Sequence, residues 1–160
     1  MLQSALTFRL ATRDDIHALA DLRWLLKTGD EEGSDTEERS RFIDEFMEFL
    51  SESFFDSPFV HWIAETDGQI VAVMSVGRVP KLPSLKANER YWGYLTNCYT
   101  SPAYRDKGIG TQLLATVKQW AKNQQYEFLA VWPSDRSYPF YERSGFHRYP
   151  DPLILNLKDS

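Results

Sequence analysis

At 160 residues and a net charge of −5, the chain is long enough for one domain around one core and too acidic for the basic face of a nucleic-acid binder. Its apolar content of 42% and charged content of 26% are those of a soluble globular domain, here with a surplus of aromatic residues. The single cysteine, Cys98, excludes an internal disulfide; with no basic n-region at the start and no apolar run approaching a membrane span, a cytoplasmic protein is expected.

Residues 6–11 alternate enough to form a first strand. Thr12-Arg13-Asp14-Asp15 has the T-x-x-D form of a capping box, and Ile16, Leu19, Ala20 and Leu26 make one side of a helix that Gly29 ends. Residues 30–38 hold six acidic side chains. Ser34 and Glu37 form a second capping pattern, before a helix that buries Phe42, Ile43, Phe46, Met47, Phe49 and Leu50. Residues 59–66 and 69–79 read as a hairpin around Asp67-Gly68, and residues 90–100 as a fourth strand. A helix from Gly108, a strand over residues 126–132, a short helix over residues 139–144 ended by Gly145, and one or two closing strands within residues 146–157 complete the chain.

The stretch Arg105-Asp-Lys-Gly-Ile-Gly-Thr111 joins the fourth strand to the helix. A helix start leaves backbone N–H groups unpaired and carries partial positive charge, and glycine removes the Cβ that would keep a ligand away. Arg105 and Lys107 add full charges, so the stretch is an anion site most naturally read as a phosphate site. It matches neither the P-loop pattern nor the dinucleotide fingerprint, whose third glycine is replaced by Leu113.

The loop does resemble the R/Q-x-x-G-x-G/A loop of the GNAT N-acetyltransferases. Phe140-Tyr-Glu-Arg-Ser-Gly-Phe146 is similar to that family's later FYE-x-x-GF segment and lies at a similar distance downstream. The resemblance is close over residues 91–150 and extends to the order of elements before them. It implies one domain over residues 1–160 of α/β (α+β) class: a mixed, mostly antiparallel sheet of six to seven strands flanked by about four helices. It also implies acetyl transfer from acetyl-CoA to a primary amine by direct attack. Arg105, Asp106, Lys107, Gly108, Ile109, Gly110 and Thr111 would meet the pyrophosphate, and Cys98, Tyr99 and Thr100 the pantetheine arm. Ser134 stands where the family often has an asparagine, and Tyr141 where it has the tyrosine that protonates the leaving thiolate. The aliphatic residues common in the family at positions 98 and 100 are absent here.

The acceptor stays open between a small amine and a protein or peptide amine, and a homodimer is compatible with the aromatic surplus. Glu65, Asp30, Glu31, Glu32 and Asp135 are all chemically suited to act as a general base, and a water chain would serve equally. Residues 30–38 would attract a cationic amine, or simply form a solvated loop that complements the next helix dipole. Two other readings are a Cys98 nucleophile with His17, His61 or His147 as base, and a GNAT-like module that binds CoA without transferring acetyl. No H-x-x-x-H or C-x-x-C spacing signals a metal.

Overall fold

A computed structural model describes residues 5–31, 36–54, 56–85, 88–149 and 152–158. Strand β1 (Thr7–Leu10) leads through a 3-10 turn into helix α1 (Ile16–Thr28). Helix α2 (Thr36–Ser53) and strands β2 (Phe59–Thr66), β3 (Gln69–Pro80) and β4 (Tyr91–Thr100) follow. Helix α3 (Ile109–Asn123), strand β5 (Tyr126–Val131) and helix α4 (Tyr138–Arg143) close the order. The sheet runs β1-β2-β3-β4-β5, antiparallel as far as β4 and parallel between β4 and β5.

Local chemistry accounts for the boundaries. The Asp15 carboxylate accepts the Thr12 N–H at 2.7 Å, closing the capping pattern, and Gly29 ends α1 at φ 66°. Asp67 and Gly68 both have positive φ, 53° and 71°, as a type I′ hairpin turn requires. Arg9 clamps the first strand to the first helix: it grips Asp15 with two nitrogens at 2.8 and 3.0 Å and Glu65 with a third at 2.8 Å.

β3 is buried from Val71 to Gly77, because helices cover both faces of the sheet. On one face, Leu113, Leu114 and Val117 of α3 pack with Ala72, Val76, Leu95 and Tyr141. On the other, Ile16, Leu19 and Leu22 of α1 pack with Leu50, Ile63, Val73 and Tyr99.

The expectation of six to seven strands is corrected: the sheet has five among the described residues. The closing strands are the difference, since the described residues between 146 and 158 form none. Leu153, Ile154, Leu155 and Leu157 are exposed, so no apolar face is buried there, and Pro152 lacks the N–H a ladder needs. The second capping pattern falls on Ser34, outside the described residues.

Candidate functional site

The site is built around one extra residue in β4. Val73 pairs with Tyr99 and Ser75 with Thr96, so Asn97 and Cys98 together oppose Met74. Asn97 takes φ 54°, a left-handed conformation that asparagine tolerates better than most residues. Side chains alternate faces along a strand, so the extra residue reverses every position after it. Before the bulge, Leu95 packs on the α3 face; after it, Cys98 packs there and Tyr99 turns to the α1 face. The pairing of β4 with β5 also ends at Leu95 and Val131, leaving residues 96–100 of β4 paired with β3 alone.

Beyond β4 comes the glycine loop. α3 makes its first backbone bond from Gln112 N–H to Gly108 C=O at 3.0 Å. The amides of Ile109, Gly110 and Thr111 precede it and have no partner within the helix. Asp106 and Gly108 have φ of 59° and 75°, which folds the loop back over the helix start. Arg105 fixes the loop from below. Its guanidinium pairs with Asp30 at 2.8 and 2.9 Å, donates to the Thr100 carbonyl at 2.8 Å and lies 5.4 Å from the centre of the Tyr99 ring. Its N–H already donates to Pro102 C=O at 3.2 Å, and Lys107 Nζ donates to Ala103 C=O at 2.8 Å. Both cations therefore brace the loop, and the donors that face outward are backbone amides at the helix start. A Cβ on Gly110 would lie 3.6 Å from Thr100 Oγ1 and 3.7 Å from the Phe140 ring, so strand end, helix start and α4 meet at this one residue.

Tyr141 is buried, and its hydroxyl meets the Cys98 thiol. Burial raises the tyrosine pKa above its usual value near 10, so the group holds its proton at neutral pH. Burial also pushes the Cys98 thiol up to about 11. Its partners are Tyr141 and the Thr96 carbonyl at 3.6 Å, with no histidine between them. His17 bonds Asp21 at 3.1 Å and His61 bonds Ser75 at 2.7 Å, so the geometry does not support a Cys98 nucleophile activated by either.

Ser134 opens the 3-10 turn before α4, is exposed, and donates to Ser137 Oγ at 3.1 Å. Of the candidate bases, Asp30 is held by Arg105 and by the Tyr99 hydroxyl at 2.6 Å, and Glu65 by Arg9. The Arg105 guanidinium, then the Tyr99 hydroxyl, hold the Asp30 carboxyl below the usual carboxylate range. Asp135 lies in the exposed turn after Ser134, and Glu32 falls outside the described residues. Among the described residues no group of three or more His, Cys, Asp or Glu gathers to hold a metal.

On the α1 face of the bulge lies a cavity of about 280 Å³. Its walls are aromatic: Phe46, Phe49, Phe59 and Tyr94. Its floor is a polar chain in which His61 Nδ1 meets Ser75 Oγ at 2.7 Å, Asn97 Nδ2 donates to Ser75 Oγ at 3.1 Å and Arg23 donates to Asn97 Oδ1 at 3.2 Å. No motif marks Arg23, Ser75 or Asn97; the signal available in the sequence was a polar residue inside each of two apolar strands.

Burial lowers the His61 pKa to about 4, so the ring is neutral at pH 7. The unfolded value is near 6.5, so the stability linked to this group is complete above about pH 6.5 and is lost as the pH falls through about 4. The unfolding free energy from denaturant titrations should fall across that window by up to about 3 kcal/mol, and His61→Gln should flatten the slope. Parallel curves for the two proteins would show that another group titrates.

The family model described as "Acetyltransferase (GNAT) family" matches residues 16–146. A glucosamine 6-phosphate N-acetyltransferase from Trypanosoma brucei brucei is 27% identical over 90 residues, 56% of this chain and 59% of that protein. A predicted acetyltransferase from Clostridium acetobutylicum, solved with acetyl-CoA, is 27% identical with a TM-score of 0.76, covering 98% of this chain and 99% of its own. A GCN5-related N-acetyltransferase from Ralstonia eutropha JMP134 shares the fold at 20% identity and a TM-score of 0.74, over 95% and 99% of the two chains.

Proposed function

The chain belongs to the acetyltransferase (GNAT) family, and we propose that it moves the acetyl group of acetyl-CoA onto a primary amine by direct attack in a ternary complex. The observation that carries this reading is the meeting of Tyr141 with Cys98, in the bulge near which β4 parts from β5. A buried tyrosine hydroxyl, a strand edge that β5 leaves unpaired and the start of α3 lie together there, which supports the reading.

The chain's residues fit the cofactor. The amides of Ile109, Gly110 and Thr111 would donate to its pyrophosphate, and Gly110 puts no Cβ into the space between the helix start, Thr100 and Phe140. The β4 backbone at Cys98, Tyr99 and Thr100, unpaired toward β5, would take the pantetheine arm as a further strand-like partner. Ser134 would stand on the far side of the opening. Bound acetyl-CoA supplies an activated acyl carbon and a thiolate leaving group. Tyr141 keeps a proton at Oη against bulk pH and would deliver it to the departing sulfur. The amine would arrive from the α1 face, through the aromatic cavity that Asn97 lines.

The test is a free-thiol release assay with acetyl-CoA and a panel of amines. Amine-dependent thiol release, together with a melting temperature raised by acetyl-CoA alone, is the expected result. Acetyl-CoA binding with no amine-dependent release would instead identify a module that binds without transferring.

A further inference from the structure

Among the described residues Arg23 is the one charged group lining the aromatic cavity. It is half-buried, and among the described residues its guanidinium makes one hydrogen bond, to the neutral Oδ1 of Asn97, and no ion pair. Burial holds its pKa below the usual arginine value, the mark of a cation desolvated without a counter-charge. Other arginines bound at the sheet and loop are paired: Arg9 with Asp15 and Glu65, Arg105 with Asp30. A half-buried guanidinium without a carboxylate is unfavourable unless something else supplies the negative charge.

Among the described residues no carboxylate lines the cavity, and the ring of His61 is neutral. A polycationic acceptor would bring further ammonium groups to a space whose one charge is already positive. The volume, about 280 Å³, sits at the low end for small-molecule sites and suits a compact acceptor. Phe46, Phe49, Phe59 and Tyr94 offer ring faces and edges to a flat or apolar body. Arg23 is bonded to the bulged residue itself, so an anion on Arg23 lies close to where the amine must react.

We propose that the acceptor is a small primary amine carrying an anionic group, carboxylate or phosphate, which Arg23 binds while the aromatic walls pack its body. This rests on the acetyl-transfer reading above. The acidic run over residues 30–38 is then not the acceptor's anchor: Asp30 is bound by Arg105 and Tyr99, and Glu37 and Glu38 lie in the first turn of α2.

The experiment compares matched pairs that differ in the anion: L-phenylalanine with phenethylamine, and glucosamine 6-phosphate with glucosamine. Spermidine serves as the polycation. In thiol release, the anion-bearing member of at least one pair should exceed its partner without the anion roughly 10- to 100-fold in kcat/KM, the effect of a charged hydrogen-bonded contact. Which pair responds identifies carboxylate or phosphate as the anion. Arg23→Gln should bring that ratio to about one, through KM, with acetyl-CoA affinity by calorimetry unchanged. Its melting temperature should hold or rise, since a desolvated cation is removed. Calorimetry of the same amines without acetyl-CoA should give the same ranking. Spermidine as the best substrate, or a ratio that survives Arg23→Gln, would overturn the proposal while leaving acetyl transfer standing. Failure of acetyl-CoA to bind would strike the acetyl-transfer reading instead, and an Arg23-dependent ranking in the amine calorimetry would then still support the anion site.

Discussion

Tyr141→Phe is expected to lower kcat by roughly 10²–10⁴, the range of general acid catalysis, with little change in melting temperature or acetyl-CoA affinity. Phenylalanine keeps the ring that packs between Phe140 and Phe146, at 5.0 and 5.5 Å between centroids, and removes the one proton the side chain can give. Because burial raises its pKa, Tyr141 stays protonated through the neutral range, and the wild-type rate should show no loss from its ionisation below about pH 10. Tyr138→Phe is the control: Tyr138 lies under Arg148, with the guanidinium 4.5 Å from its ring centre, and should cost much less. Equal, near-wild-type turnover in both variants would make Tyr141 a packing residue. A joint loss of melting temperature and cofactor binding in Tyr141→Phe would assign its effect to structure.

The second large effect is expected at the helix start. Gly110→Leu should weaken acetyl-CoA binding by about 100-fold, equivalent to losing one or two hydrogen bonds to a charged group. Gly108→Val should do the same by another route, since a β-branched residue is strained at φ 75° and the loop would have to reopen. Gly110→Ala separates fold from site. Its added methyl would meet Thr100 Oγ1 and Phe140 at ordinary contact distances, 3.6 and 3.7 Å, so the melting temperature should match wild type while affinity drops. Calorimetric affinity unchanged in all three variants would remove this loop from the cofactor site.

Much of this was readable from residue order, wherever a local rule decides. Asp67-Gly68 and Gly29 announced their turns because few residues tolerate positive φ. The glycine loop announced a helix start with free backbone donors, because a helix start has them whatever surrounds it. The roles of Arg105 and Lys107 were less legible. Each was read as a free charge, whereas Asp30, 75 residues away in sequence, and the Ala103 carbonyl hold them. The bulge at Asn97 was invisible for a similar reason: an extra residue is defined by what it faces on β3, and no spacing within β4 records that. The aromatic cavity combines residues from α1, α2 and three strands, so nothing local links them. The closing strands failed differently. Residues 153–157 have the apolar content of a strand, but composition does not show whether a face will be buried.

The bulge has a consequence for how such a protein changes over generations. Thr96 and Asn97 look toward the cavity, Cys98 toward Tyr141, and Thr100 toward the helix start. Substitutions at Tyr94 or Thr96 therefore reshape one side of the sheet without touching the other. Selection can retune which amine is accepted while the donor half of the reaction is inherited intact. Deletion of Asn97 would leave those two sides in place, because Leu95, Thr96, Cys98 and Tyr99 would then simply alternate, but it would remove the bulge and the amide that bonds Arg23 and Ser75. Lineages carrying this architecture should thus vary in the letters of this strand that face the cavity and keep those that face Tyr141 and the helix start.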